Sequence, residues 1–182
     1  MLDRSSKLIL GLALLAAVLG GIVEHGARQP TATDTSPSTL IGQPLPALAL
    51  PDLDGRMHAL AEYRGRRVLL NFWATWCGPC LDEMPALQRA QRKFGEQGAI
   101  VVGIGMDSAD RVRAFLAGHP VNYPILLGDM RSPSTTLRLG DTAKILPYSV
   151  LIDADGRILD AHAGALSNAR LEEWLGGKKN PH

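Results

Sequence analysis

The 182-residue chain predicts an α/β fold, one central mixed sheet flanked by helices on both faces with an added N-terminal β-hairpin. Three observations carry this expectation. Two continuous apolar runs, RVLLNFW at Arg67–Trp73 and AIVVGIGM at residues 99–106, read as strands buried on both sides. Between them lies a longer stretch whose apolar residues recur at helical spacing. Turn signals, Pro51-Asp52-Leu53-Asp54-Gly55 and Asp155-Gly156, mark an antiparallel pair near each end of the folded part.

In chain order, residues 45–50 and 56–60 flank the first turn and form a hairpin, and Arg67–Trp73 is the central strand. Gly78–Phe94 is a helix, because Leu81, Met84, Leu87 and Phe94 share one apolar face. Gly95 should end it and Pro85 should kink it. After the strand at 99–106, Asp107 or Ser108 caps a helix that reaches Ala117. Residues 123–127 form a short strand and 134–139 a helical turn or two. Residues 148–154 and 157–161 make a second hairpin. A closing helix spans 168–175, capped by Ser167 and stopped by Gly176-Gly177. PDLDGR and IDADGR share turn chemistry; as calcium loops both lack further ligands.

Composition excludes several functions. A net charge of +1, with no basic run longer than Arg66-Arg67 or Lys178-Lys179, argues against a nucleic-acid partner. Two cysteines cannot build a four-ligand zinc site, and His25, His58, His119, His162 and His182 are too scattered to suggest any metal centre. No motif supports Ser/His/Asp catalysis.

The N-terminus reads as an address. Residues 1–7 carry Arg4 and Lys7, and residues 8–23 (LILGLALLAAVLGGIV) hold no charge or polar side chain. As a helix that stretch rises about 24 Å, short of a ~30 Å hydrocarbon core. It lacks a clean small-residue cleavage site, which favours an uncleaved signal anchor in the inner membrane over a cleaved, soluble periplasmic form. Positive residues before it and Glu24 after it place residues 1–7 in the cytoplasm and the remainder in the periplasm. Residues 24–39 read as a flexible linker reaching roughly 20 Å as a coil and up to ~50 Å extended. The folded domain is then 40–182.

Cys77-Gly78-Pro79-Cys80 falls between the best strand and the best helix. A thiolate at a helix N-terminus is stabilised by unpaired N–H groups and the helix dipole. Two-residue spacing sets both sulfurs on one turn, so one can attack a disulfide and the other can resolve it. Gly78 keeps the approach open, Pro79 suits a first helical turn, and Trp73 and Trp76 frame the site with apolar surface. A bridge across so short a loop restricts the unfolded chain little, so a structural staple is not expected. The competing reading is a pair of buried, inert thiols.

The segment Asn71 to Cys80, NFWATWCGPC, resembles the active-site segment of the thioredoxin-like fold. From about residue 40 to about 176, through LPYSVLIDADGRI, the chain is similar to the TlpA/ResA/CcmG-type family of membrane-anchored extracytoplasmic thiol-disulfide oxidoreductases. The resemblance implies Cys77 as nucleophile, Cys80 as resolving thiol and Pro147 as a cis-proline facing the disulfide. It implies a monomeric protein-disulfide reductase whose redox group is the Cys77–Cys80 disulfide itself, with no other cofactor. A membrane thiol electron donor would recharge it, and apocytochrome c or a copper-site assembly protein would be its target.

Two departures stand out. Cytoplasmic thioredoxins carry a buried Asp where this chain has Asn71, and many relatives have Thr or Val where it has Leu146. Glu83 follows Cys80 in C-x-x-E-x-P, as in the ResA-like branch. Spacing of three puts Glu83 on the side of Cys80, where its carboxylate can take the proton that Cys80 must lose. Alternatively Glu83 is a solvated acid placed by the helix dipole. Two other functions compete. One is a general thiol oxidant or isomerase, although no dimerisation domain is visible. The other is a copper chaperone using Cys77, Cys80 and a distant His, with no ligand nearby. Peroxiredoxin-type peroxidase chemistry would need a different cysteine context.

Overall fold

A computed structural model describes residues 37–131 and 133–177. The expected segments 1–7 and 8–23 and most of the 24–39 linker lie outside the described residues. Among the described residues no helix is long and apolar enough to cross a membrane. A helical turn, α1 (Pro37–Leu40), straddles the expected boundary between linker and domain.

The remaining elements are β1 (Ala49–Pro51), β2 (Met57–Ala59), β3 (Arg67–Trp73), α2 (Gly78–Phe94) and β4 (Ala99–Gly105). They continue with α3 (Ala109–Gly118), β5 (Ile125–Leu127), β6 (Tyr148–Ile152), β7 (Ile158–Ala163) and α4 (Asn168–Gly176). Five strands form one sheet in the order β5-β4-β3-β6-β7, and β1 and β2 pair as a separate hairpin. The β3–β4 and β4–β5 pairs are parallel; β3–β6 and β6–β7 are antiparallel. The fold is the expected thioredoxin-like α/β arrangement with its added hairpin.

Alternation along the strands divides the core. Val68, Leu70 and Phe72 of β3 join Ile100, Val102, Ile104, Tyr148, Val150 and Ile152 on one face, beneath Leu48, Leu50 and Leu60 from the hairpin region. Leu69, Val101 and Leu151 face the other way, against Leu87 and Phe94 of α2 and Leu171 and Trp174 of α4. Val112 of α3 packs with Trp73 on that same side. Both faces carry helix, but unequally. The three longer helices share one face, and 3-10 turns at Leu60–Tyr63 and Leu137–Leu139 with α1 cover the other.

The turn chemistry repeats as read. Asp52 Oδ1 accepts from the N–H groups of Asp54 and Arg56, and Asp153 Oδ1 accepts from those of Asp155 and Arg157. Each turn then needs a left-handed residue, supplied by Gly55 and Gly156, both with φ of 83°. Ser108, not Asp107, caps α3, accepting from Arg111 N–H, and Ser167 caps α4 from Arg170 N–H. Helix α2 is continuous through Pro85, and Gly95 remains right-handed at φ −59°. The chain reverses three residues later, at left-handed Gly98.

Candidate active site

Strand β3 delivers the chain to the site. Past Trp73 the backbone turns, with Cys77 N–H donating to the Ala74 carbonyl, and Cys77 becomes the N-cap of α2 in extended conformation. Pro79 occupies the first helical turn, where no N–H is required. Cys77 and Cys80 are joined by a disulfide with S–S 2.07 Å and Cα atoms 5.3 Å apart. Cys80 is fully buried whereas Cys77 keeps 6% exposure, so an incoming thiolate meets Cys77 first. A Cβ on Gly78 would meet nothing within 4 Å, which leaves that side of the disulfide clear.

The two tryptophans do different work. Trp73 is core, tilted against Phe115 with ring centroids 5.5 Å apart. Trp76, beside the nucleophile, is 61% exposed. With Met130, Leu137 and Leu146 it lines a groove of about 210 Å³ whose polar members include Asp141 and Lys144.

The Leu146–Pro147 bond is cis. Leu146 packs against the cluster that holds both cysteines, and the Pro147 carbonyl accepts from Gly164 N–H at 2.8 Å. Pro147 is thereby fixed at the start of β6, the strand beside β3.

Glu83 is not a solvated acid. It is 5% exposed, and its Oε1 accepts from Asn71 Nδ2 at 2.7 Å while Oε2 accepts from Leu166 N–H at 2.9 Å. Burial pushes its carboxyl above the ordinary range, opposed by the Leu166 N–H and the Asn71 amide. Tyr123 nearby is held neutral well above its usual value by burial and by the Glu83 charge.

Sequence reasoning noted Asn71 only as a missing Asp, and passed over Ser149 and Leu166. The available signal was polarity inside RVLLNFW and YSVLI, two otherwise apolar buried strands. The histidines take other places: His58 bridges Asp52 and Glu62 at the hairpin, and His119 stacks on Phe115. Asp52, and secondarily Glu62, raise the His58 pKa against its partial desolvation. His25 and His182 lie outside the described residues. Among the described residues no group of three or more His, Cys, Asp or Glu side chains could hold a metal ion.

A disulfide at the N-terminus of the helix leaving a central strand, beside a cis-proline on the neighbouring strand, defines a thioredoxin-like thiol-disulfide oxidoreductase. Comparison with known proteins agrees. The profile of the AhpC/TSA family matches residues 41–161. The chain is 34% identical over 138 residues to the thioredoxin-like protein YneN of Bacillus subtilis, covering 74% of this chain and 78% of that protein. It is 31% identical over 141 residues to the thiol-disulfide oxidoreductase ResA of Bacillus thuringiensis subsp. konkukian, covering 74% and 76%. A crystal structure of a thiol:disulfide interchange protein DsbE from Chlorobium tepidum superposes with a TM-score of 0.62 at 32% identity, over 71% of this chain and 89% of that one. The chain belongs to the AhpC/TSA family, in its TlpA/ResA/CcmG-type branch, and is a thiol-disulfide oxidoreductase acting on protein disulfides.

Proposed function

We propose that the protein is a periplasmic protein-disulfide reductase, held at the inner membrane by residues 8–23 and serving c-type cytochrome or copper-oxidase assembly. The observation that carries the reductase chemistry is the Cys77–Cys80 pair at the head of α2, with the buried Glu83 carboxylate three residues after Cys80. In its reduced form, the Cys77 thiolate attacks one sulfur of the target disulfide. A Cys77–target bond forms, the target S–S bond breaks, and the first target sulfur leaves as a thiolate and takes a proton. Cys80 gives its proton to Glu83, and its thiolate attacks Cys77 Sγ. The intramolecular disulfide forms, and the second target sulfur leaves in turn and is protonated. Two electrons have moved to the target, and no cofactor beyond the two cysteines takes part.

Glu83 then loses its proton to solvent, and a membrane dithiol donor re-reduces the pair. Trp76, Met130 and Leu146 offer an apolar seat for the chain flanking the target cysteine. Thiol alkylation in intact cells tests the direction of electron flow. A reductant is held mostly as the Cys77/Cys80 dithiol; a mostly oxidised steady state would contradict this reading and favour an oxidant.

A further inference from the structure

We infer that Asn71 is a positioning residue for Glu83. With Ser149 and the Leu166 N–H it forms a clamp that holds the Glu83 carboxylate ready to receive the Cys80 proton. The inference rests on the proton-acceptor role proposed for Glu83.

The clamp follows from strand register. Asn71 of β3 lies opposite Ser149 of β6 and beside Gly103 of β4, so the three form one row across the sheet. On β3 this row shares its face with the apolar Leu69 and Trp73, beneath α2. A buried amide among apolar neighbours is unfavourable unless it is hydrogen-bonded. Asn71 is 1% exposed, and its Nδ2 donates twice, to Glu83 Oε1 at 2.7 Å and to Ser149 Oγ at 3.1 Å. An ionised carboxylate only accepts, so the amide nitrogen must face it.

Leu166 N–H closes the clamp on Oε2 at 2.9 Å. It belongs to the segment 164–166, whose Gly164 N–H holds the Pro147 carbonyl. One short loop therefore fixes both the cis-proline and the carboxylate. Gly164 makes that turn with φ of 99°, where a side chain would be strained.

The chemistry of the donors matters as much as their placement. Among the described residues each carboxylate oxygen receives one protein donor, which leaves a lone pair on each for an incoming proton. The described residues give Glu83 no ion pair. Neutral donors orient the carboxylate, whereas a Lys or Arg in place of Asn71 would hold it ionised and weaken it as a base. The titratable groups around it are Cys77 and Cys80, Tyr123 ahead of β5, and His162 of β7 in register with Ser149.

The test is the pH dependence of the resolving step, read by stopped flow. Reduced full-length protein is mixed with dithiobis(nitrobenzoate), and the concentration-independent phase reports attack of Cys80 on the Cys77 mixed disulfide. Asn71→Leu removes a donor to the charged carboxylate and is expected to move the midpoint of that phase up by about one pH unit or more. Ser149→Ala, which removes only the support of Asn71, should move it the same way by less, and it carries the test if Asn71→Leu does not fold. In a Glu83→Gln background neither substitution should move the midpoint further. An unmoved midpoint in both single variants, or an equal shift with and without Glu83, overturns the clamp. If Glu83→Gln alone leaves the pH dependence unchanged, the proton-acceptor role itself fails, and the clamp falls with it.

Discussion

At Glu83 a carboxylate is kept in the protein interior by two neutral donors and, among the described residues, no cation. Its folded-state pKa lies above the ordinary 4.5, chiefly through burial. Between those two values the folded state binds more protons than the unfolded state, so this group's contribution to stability declines as pH rises through that window. Glu83→Gln removes the titration but leaves Asn71 and Leu166 donors facing one oxygen and one NH₂ group. The absolute Tm of the variant is therefore set partly by that mismatch. Its Tm relative to the native protein should rise as pH increases above about 4.5 and level off once the folded-state carboxyl is ionised, measured by thermal denaturation. A constant or falling difference would show that Glu83 is not perturbed as described. Cys77, Cys80 and Glu83 were legible in the sequence because their relation is fixed within two turns of one helix. Ser149 and Leu166 were not, since they meet Asn71 and Glu83 from 78 and 83 residues away.

Elements built from local chemistry were legible to within a few residues. Helix α2 has the expected bounds, and both Asp-Gly turns close as read. Strands were less so. Residues 45–50 read as a strand, but the β1–β2 ladder takes in only Ala49–Pro51, because ladder bonds depend on a partner that alternation alone does not locate. Gly103 shows the same limit. In AIVVGIG it reads as one more buried strand residue, yet it sits where Trp73, Tyr123 and Ile125 converge. An added Cβ there would lie 2.7 Å from Ile125 Cδ1, 3.0 Å from Tyr123 Cε2 and 3.3 Å from Trp73 Nε1. Gly103→Ala is therefore expected to lower stability by about 1–3 kcal/mol through overpacking. Chemical denaturation should show a lower midpoint at unchanged slope, and an unaltered midpoint would mean that these neighbours give way freely.

In the whole molecule, strand order explains what the sequence left open. β3, β4 and β5 step in one direction, and right-handed crossovers then place α2 and α3 on the same face. The opposite face falls to the hairpin and short turns. The class of fold needed only the alternation of elements; the unequal faces needed the order of strands. With two cysteines in the entire chain, both at the head of α2, the protein has no internal thiol with which to mispair. The central claim is that this pair passes electrons to a protein disulfide through Cys77 and is resolved by Cys80. The direct measurement mixes reduced protein with a disulfide-bonded protein and follows both partners by mass spectrometry. One Cys77–Cys80 disulfide should form for each target disulfide opened, Cys77→Ser should open none, and Cys80→Ser should stall as a covalent Cys77–target adduct. Target reduction by Cys77→Ser, or full turnover by Cys80→Ser, would contradict the account.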